Sequence, residues 1–362
     1  MNQITPIALA ERAHFELPAT ELSSGELAQN AIQRLLDGQD LDREQARALF
    51  TEIVEGRMAE PLMAAAFVAL RMRGETADEL TGAALALRAA AREFPAPDYL
   101  FADSCGTGGD KSGSINVSTA AGLVAAACGL PIVKHGNRSF TSKCGSADVL
   151  EALGARLDSP PELSRRMLDD TGFCFLLAPQ YHPGIAHAGP VRRALKVRTV
   201  MNLLGPCLNP ARPKVQLLGV ADPNMLAPVA ETLLALGIER GLVVHGSGLD
   251  EIAPHAETQA VRIADGRLEP LTLTPEDAGV ERQPVAGIAG GTPADNAERM
   301  TALLDGGGGA ADEAVVALNA GGVLFTAGRA ASFREGVAMA LDAIRSGEAR
   351  RVLRRFVEAS NG

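Results

Sequence analysis

Between residues 24 and 94, apolar side chains recur three and four positions apart, as Leu27, Ala28, Ala31 and Ile32 do. This spacing places them on one face of a helix. The expected helix ends are marked by glycines, at Gly38, Gly56 and Gly74. The expected helix starts are marked by two capping pairs, Asp42–Gln45 and Thr76–Glu79, and by a proline, Pro61. The segment therefore predicts four short helices.

From Tyr99 onward the pattern changes to short apolar runs separated by helical segments. Strands that alternate with helices imply crossover connections and a largely parallel sheet. The candidate strands are Leu100–Asp103, Ile132–Lys134, Phe173–Leu177, Val215–Val220 and Gly241–His245. Two more strand-like runs lie between residues 259 and 274, and the chain is helical again from Pro293.

The expected fold class is α/β, with a small all-helical domain and a larger domain whose mostly parallel central sheet is flanked by helices. Residues 1–22 show no clear period and are expected to form an N-terminal extension. We assign residues 23–95 to the helical domain, and residues 96–182 and 206–362 to the α/β domain. A cleft between two domains is a common place for a ligand.

Composition limits the partners and the compartment. The 362 residues carry a formal charge of −10, and the pI is about 5.2. An acidic chain is a poor ligand for nucleic acid or an anionic membrane, so we expect neither as a partner. The first residues lack the features of a signal peptide, and no stretch reaches the ~18 apolar residues of a membrane helix. The expected location is the cytoplasm.

The five cysteines agree with a reducing compartment, because their number is odd and no C-x-x-C pair occurs. A catalytic thiol is one interpretation, but a free cysteine usually behaves as a small buried hydrophobe, and that is the interpretation we favour. The five are Cys105, Cys128, Cys144, Cys174 and Cys207.

A glycine-rich turn, DSCGTGGDKSGSINVST at residues 103–119, connects a predicted strand to a predicted helix. Glycine lets the backbone approach a ligand closely. Asn116, Ser118 and Thr119 open the helix, and the free N–H groups of a helix N-terminus suit phosphate. The spacing is neither that of a Walker A loop nor that of a dinucleotide fingerprint. Such turns are often only structural, but the polar run favours binding.

A second polar turn, KHGNRSFTSKCGSAD at residues 134–148, also follows a strand. Lys134, Arg138 and Lys143 fall within ten residues of an otherwise acidic chain. A solvated surface is the ordinary explanation of such a run. Ligands of open α/β folds, however, bind at the carboxyl ends of the strands, so we favour anion binding. His135 is either a base or a hydrogen-bonded turn residue.

A third motif, VVHGSGLDE at residues 243–251, places two carboxylates after an apolar strand. Mg²⁺ in proteins is bound by a few carboxylates together with substrate phosphate oxygens. Asp250 and Glu251 could form an ordinary acidic turn, but two anion-binding turns elsewhere favour a metal site. A fourth block, YHPGIAHAGPVR at residues 181–192, ends in Arg192. Arg192 could hold a carboxylate by two hydrogen bonds, although a surface ion pair is the commoner role.

Together these blocks resemble the anthranilate phosphoribosyltransferase family over residues 25–358. The matching stretches, in order, are CGTGGDKSGSINVST, VKHGNRSFTSKCGSADVLEALG, YHPGIAHAGPVRRALKVRTVMNLLGPCLNP and VVHGSGLDE, followed by NAERMTALLDG and LNAGGVLF. The resemblance implies a helical domain that also takes in residues 183–205, and a homodimer formed through it. It implies phosphoribosyl pyrophosphate (PRPP) and anthranilate as substrates, and Mg²⁺ as the cofactor.

The resemblance also assigns site residues by position. The residues around PRPP would be Gly106, Gly109, Asp110, Ser114, Asn116, Val117, Ser118, Thr119, Lys134, His135, Gly136, Asn137, Arg138, Ser142 and Ser146. Ser118, Asp250 and Glu251 would serve Mg²⁺, and Gly106, Asn137 and Arg192 would face anthranilate. Four positions depart from the commoner residues of the family, namely Ile115, Cys144, Gly184 and Met201. None of them removes a donor or a carboxylate that the assignment needs.

In the implied reaction PRPP loses pyrophosphate while the ribose becomes oxocarbenium-like, so the expected tasks of the protein are positioning and electrostatic stabilisation. The acceptor amine is neutral and attacks with its own lone pair, and we expect no covalent enzyme intermediate. Two alternatives are a pyrimidine nucleoside phosphorylase and a non-catalytic relative that binds nucleic acid. The Lys-His-Gly-Asn-Arg block and Arg192 disfavour the first, and the acidic pI and the retained Asp250–Glu251 pair disfavour the second.

Overall fold

A computed structural model describes residues 23–139 and 143–362 of the chain. Its N-terminal part contains four helices, α1 (Ser24–Leu36), α2 (Arg43–Val54), α3 (Glu60–Arg73) and α4 (Ala77–Ala89). Capping boxes at Asp42 and Thr76, and a proline in the first turn of α3, start three of these helices as predicted. The predicted extension at residues 1–22 lies outside the described residues.

The remainder is built on a seven-stranded sheet with the order β3-β2-β1-β4-β5-β6-β7. The strands are β1 (Ala102–Gly106), β2 (Ile132–Gly136), β3 (Phe173–Leu177), β4 (Val215–Gly219), β5 (Arg240–His245), β6 (Thr258–Ala264) and β7 (Arg267–Leu273). The first five pair in parallel, and β6 and β7 add an antiparallel edge. The predicted fold class is confirmed.

The prediction for the first strand was wrong in its extent. Sequence analysis gave Leu100–Asp103, whereas β1 begins at Ala102 and continues to Gly106. Residues 102–106 pair one for one with residues 215–219 of β4. This pairing carries the strand into the polar glycine-rich turn, because the ladder of backbone hydrogen bonds does not depend on apolar side chains.

Helices cover both faces of the sheet. Successive strand residues face opposite sides, so Leu217 and Val244 belong to one apolar core and Leu218 and Val243 to the other. The second core is continuous with that of α1–α4. The further helices are α5 (Val117–Ala127), α6 (Ser146–Ala152), α7 (Pro161–Thr171), α8 (Ala178–Tyr181), α9 (Gly189–Leu195), α10 (Val200–Leu204), α11 (Leu226–Ala235), α12 (Pro293–Leu304), α13 (Ala310–Thr326), α14 (Phe333–Arg345) and α15 (Glu348–Asn361).

The mid-chain segment packs on the N-terminal helices. Val191 of α9, and Val200 and Leu204 of α10, lie in the same apolar core as α1–α4. Because that core also extends onto the sheet through Leu218 and Val243, the domain boundaries stated above remain predictions. Within the described residues, no helix is both long enough and apolar enough to span a membrane.

Candidate active site

A cavity of about 1330 Å³ opens where β1 and β2 end, between the sheet and the mid-chain helices. Every predicted site residue that the structure describes lines it, namely Gly106, Gly109, Asp110, Ser114, Asn116, Val117, Ser118, Thr119, Lys134, His135, Gly136, Asn137, Arg138, Ser146, Arg192, Asp250 and Glu251. Ser142 lies outside the described residues. The structure thus brings three turns, far apart in sequence, around one space.

The glycine-rich turn packs against the carboxylate of Asp250. The backbone N–H of Gly108 donates to Asp250 Oδ2 at 2.6 Å. A Cβ at Gly106 would lie only 2.3 Å from the same oxygen, so a larger residue there would displace the acid. Gly108 and Gly109 have φ values of 68° and 79°, a region that L side chains rarely adopt. The turn therefore requires glycine for two reasons, the close approach to Asp250 at Gly106 and the positive φ at Gly108 and Gly109.

Lys134 is a buried cation beside this turn. Its side chain is 2% exposed, and Nζ donates to Ser104 O at 2.6 Å and to Ser118 Oγ at 3.1 Å. Burial raises the pKa of the nearby Asp103 carboxyl to about 6, while the charge of Lys134 and a hydrogen bond from Asn209 oppose the rise. The cation is therefore held by oxygen acceptors and by a neighbouring carboxylate.

Asp250 and Glu251 form a buried acidic pair, each 8% exposed. Burial raises the pKa of both carboxyl groups, and a neighbouring carboxylate, Asp110 for Asp250 and Asp250 for Glu251, raises them further. Glu251 Oε2 has no hydrogen-bond partner among the described residues. Two buried carboxylates whose negative charge is not fully balanced by hydrogen bonds or nearby cations suit a hard divalent cation such as Mg²⁺.

The protein ligands alone would leave the shell of such a cation incomplete. In the part of the chain that the structure describes, no group of three or more His, Cys, Asp or Glu side chains is arranged to hold a metal. Mg²⁺ usually keeps waters and substrate phosphate oxygens besides one or two carboxylates. The residues present fit a cation that arrives with a phosphorylated ligand.

The second turn is held by local hydrogen bonds. Asp148 accepts from the backbone N–H groups of Ser139 and Gly145 at 2.8 and 2.7 Å. A Cβ at Gly136 would lie 2.3 Å from Ser146 Oγ. Arg138 pairs with Glu151 at 2.5 Å, so its guanidinium is already engaged by a carboxylate.

His135 and His182 lie edge to face in the cavity, with ring centroids 5.1 Å apart. Burial lowers the pKa of His135 to about 3 and that of His182 to about 4, and the proximity of His182 contributes to the shift of His135. Both imidazoles are therefore neutral near pH 7. Of the two interpretations left open for His135, the low pKa disfavours a general base.

Arg192 reaches the same cavity from α9 and is half-buried, and burial lowers the pKa of its guanidinium. The apolar side chains of Ile185, Ala186 and Met201 line the cavity as well. An arginine beside apolar walls suits a planar carboxylate-bearing molecule.

Sequence analysis missed two cavity residues that carry chemistry. Arg198 donates to Gly109 O at 3.4 Å and packs on that glycine, and His182 forms the pair described above. His182 belongs to the fourth sequence block and Arg198 follows it by six residues, but neither stands at a spacing that signals a site. Only the packing of the mid-chain segment brings them to the glycine-rich turn.

Comparison with known proteins identifies the family. A profile described as "Glycosyl transferase family, a/b domain" matches residues 98–350, and one described as "Glycosyl transferase family, helical bundle domain" matches residues 29–91. An anthranilate phosphoribosyltransferase of Sorangium cellulosum is 54% identical over 329 residues, which cover 91% of this chain and 94% of that protein. The chain belongs to the anthranilate phosphoribosyltransferase family.

Solved structures of this family agree with the fold. The anthranilate phosphoribosyltransferase of Thermus thermophilus has a TM-score of 0.87 at 42% identity, over 92% of this chain and 99% of that chain. The Saccharomyces cerevisiae enzyme in complex with PRPP and Mg has a TM-score of 0.83 at 25% identity, over 92% and 98%. The same yeast enzyme has also been solved with 4-fluoroanthranilate, with a TM-score of 0.83 at 25% identity, over 94% and 98%.

These comparisons confirm the predicted resemblance to the anthranilate phosphoribosyltransferase family and the prediction of a glycosyltransferase enzyme. The two alternatives raised from the sequence, a pyrimidine nucleoside phosphorylase and a non-catalytic relative that binds nucleic acid, are not needed to explain the matches. The role of each predicted site residue stays a prediction, because a shared cavity does not assign a ligand to each side chain.

Proposed function

We propose that this cavity transfers the 5-phosphoribosyl group of PRPP to the amine of anthranilate and releases pyrophosphate, the reaction of the anthranilate phosphoribosyltransferase family. The observation that carries the proposal is the convergence of Lys134, the glycine-rich turn and the Asp250–Glu251 pair on one cavity. A strongly anionic substrate needs such a combination of fixed cation, backbone donors and metal-binding carboxylates.

The pyrophosphate of PRPP is assigned to the sheet end of the cavity. Lys134 would supply a fixed positive charge, and the turn at Gly108 and Gly109, with the start of α5, would supply backbone N–H donors. A helix N-terminus adds a partial positive charge in the same place. These groups stabilise the charge that develops on the leaving group, and they need no reorganisation to do so.

Asp250, Glu251 and the hydroxyl of Ser118 would hold Mg²⁺. Glu251 contributes an oxygen that has no other partner among the described residues, and Ser118 stands at the first turn of α5, next to Lys134. When bound, Mg²⁺ neutralises charge on phosphate oxygens. The chain's own contribution is to keep the two carboxylates buried and to orient that of Asp250 through the bond from Gly108 N–H.

Anthranilate is assigned to the end of the cavity formed by the mid-chain helices. Arg192 would bind its carboxylate, and Ile185, Ala186 and Met201 would contact the ring. The amine needs no base before it attacks, because an aromatic amine is neutral at pH 7. The neutral His135 and His182 are consistent with this, since neither has a pKa matched to proton abstraction near pH 7.

We place the enzyme in the cytoplasm as a homodimer. All five cysteines are free thiols, as expected in a reducing compartment. Leu62, Val68 and Met72 of α3 are 40%, 36% and 83% exposed, and Val68 and Met72, four positions apart, share one face of that helix. Such a face favours association. A solution mass near twice 37.6 kDa, measured by light scattering, would support the dimer, and a monomer mass would contradict it.

The proposed reaction is tested by following anthranilate fluorescence. Purified protein with PRPP and Mg²⁺ should abolish the signal at a rate proportional to enzyme, and EDTA should stop the loss. Thymidine with phosphate serves as the matched substrate pair for a nucleoside phosphorylase. Release of thymine without loss of anthranilate would overturn the proposal.

A further inference from the structure

Asn116 stands at the N-cap of α5, yet its side chain makes no hydrogen bond to the N–H groups of that helix. Asparagine is favoured at an N-cap because its side-chain oxygen accepts such a bond. Here the oxygen accepts instead from Asn296 Nδ2, at 2.9 Å and 180 residues further along the chain. Asn296 lies in the first turn of α12 and is 2% exposed. A buried polar contact has replaced the local cap.

Backbone groups determine which way both amides face. The N–H of Gly291 donates to Asn296 Oδ1 at 2.8 Å. Because a backbone N–H can only donate, the Asn296 oxygen faces Gly291 and its NH₂ group faces Asn116. Asn116 then presents its oxygen to Asn296 and to the thiol of Cys144, whose Sγ lies 3.3 Å away, and its own NH₂ group to the carbonyl of Cys144, also at 3.3 Å. The chain of bonds admits one orientation of each amide.

Asn116 and Cys144, whose carbonyl accepts from the Asn116 amide, both line the cavity. We propose that Asn296 is a positioning residue for substrate, which holds the Asn116 amide in the orientation that offers an N–H donor to phosphate. A reversed Asn116 amide would put an acceptor oxygen there, and an oxygen lone pair repels phosphate. This inference rests on the proposed PRPP-binding role of the turn that contains Asn116. It gives a function to the NAERMTALLDG stretch, which the proposed reaction did not use.

The backbone around Asn296 is joined to the same turn. Ile115 N–H donates to Ile288 O at 2.9 Å, and Gly290 N–H donates to Gly113 O at 2.6 Å. Arg299 of α12 donates to a carbonyl of the 285–290 segment at 2.9 Å. The distance between the two asparagines is therefore set by the backbone, so substitution of Asn296 is expected to remove the amide contact without displacing the turn.

The test is Asn296→Leu, which keeps approximate size but neither donates nor accepts. The KM for PRPP is expected to rise about tenfold, because the Asn116 amide is then held less firmly and its hydrogen bond to PRPP, which accounts for a change of that order, is lost. The KM for anthranilate should hardly change. Leu303→Ala on the same helix, at a fully buried position, is the control for lost stability: its melting temperature should fall while both KM values stay at wild type.

A double-mutant cycle separates positioning from structural support. If Asn296 acts through Asn116, then Asn296→Leu should add little to the PRPP KM of Asn116→Ala, because the two changes remove one interaction. Fully additive effects, or a wild-type PRPP KM in Asn296→Leu, would overturn the inference. If the leucine variant does not fold, Asn296→Asp accepts from Gly291 but cannot donate to Asn116, and the same criteria apply. Calorimetry that finds no PRPP binding to the wild type would count against the proposed function instead.

Discussion

The ammonium group of Lys134 lies 3.1 Å from the hydroxyl oxygen of Ser118. A carbonyl oxygen, that of Ser104, lies 2.6 Å away on another side. An ammonium group has three donors, so two are occupied by the protein itself. Because the side chain is 2% exposed, water does not screen its charge. The chain thus fixes a cation beside the first turn of α5, where we assign the departing pyrophosphate.

Replacement of this cation should slow catalysis more than it weakens binding. In Lys134→Met we expect kcat to fall by about 10²-fold or more, the usual effect of removing one preorganised charge-stabilising group. Stopped-flow or steady-state fluorescence of anthranilate gives the rate. Lys214→Met is the control, since Lys214 is an exposed residue paired with Glu239, and it should leave kcat unchanged. A wild-type kcat in Lys134→Met would exclude the assigned role.

Much of the fold could be predicted because its signals are local. Capping residues such as Asp42 and Thr76 act within three positions of themselves, and both start helices in the structure. The meeting of distant turns was also predictable, since the carboxyl ends of parallel strands share one edge of the sheet. Gly106 and Gly136, at the ends of β1 and β2, reach the same cavity for that reason.

What escaped prediction depends on non-local packing. Arg198 contacts Gly109 only because the mid-chain helices fold over the glycine-rich turn. The engagement of Arg138 by Glu151 requires knowledge of where α6 lies. The neutral state of His135 follows from burial beside His182, which periodicity does not show. In each case the partner is far away or depends on tertiary burial, so spacing along the chain carries no signal for it.

The two buried histidines predict how stability depends on pH. Their pKa values in the folded protein, about 3 and about 4, lie below the ordinary value of 6.5. Between these pH values the unfolded chain therefore binds more protons than the folded protein. Stability should therefore be complete above pH 6.5 and fall as the pH drops toward 4, by up to ~1.4 kcal/mol per pH unit for each histidine. Urea unfolding at pH 4.5, 5.5 and 7 measures this. His182→Gln should flatten the dependence; an unchanged slope would contradict the assignment.

The same low pKa values predict the pH profile of catalysis. If no histidine serves as a general base, kcat should show no ionisation near 6.5 between pH 6 and pH 8. His135→Asn should keep that flat profile even if its kcat is reduced. If kcat of the wild type changed with an apparent pKa near 6.5, and this change were absent in His135→Asn, a proton-transfer role would be assigned to His135.

Arg192 should discriminate between the two substrates. In Arg192→Ala we expect the KM for anthranilate to rise by about tenfold or more, because a charge-assisted bond to the carboxylate is lost, while the KM for PRPP changes less. Arg192→Lys keeps the charge without the two-point geometry and should be intermediate. Arg166→Ala, an exposed residue of α7, is the control. Unchanged anthranilate kinetics in Arg192→Ala would rule out carboxylate binding.

The acidic pair should oppose stability while it serves function. Burial raises the pKa of both Asp250 and Glu251, so the native protein retains protons that the unfolded chain releases. In metal-free protein this contribution therefore destabilises the fold increasingly as the pH rises above the ordinary carboxyl pKa near 4. The double variant Asp250→Asn with Glu251→Gln should remove this destabilisation. Its unfolding free energy should therefore exceed that of the wild type, by more at pH 8 than at pH 5.

The same double variant should be almost inactive, with turnover lowered by about 10²-fold or more, since the carboxylates assigned to Mg²⁺ are gone. Urea unfolding in EDTA measures the stability gain, and Mg²⁺ with pyrophosphate should stabilise the wild type but not the variant, because a ligand stabilises only the state that binds it. A variant that is less stable at pH 8, or one that Mg²⁺ and pyrophosphate still protect, would show that these carboxylates are structural. A gain in unfolding free energy together with lost turnover would mean that the two carboxylates destabilise the fold and serve to bind the cation that accompanies the substrate.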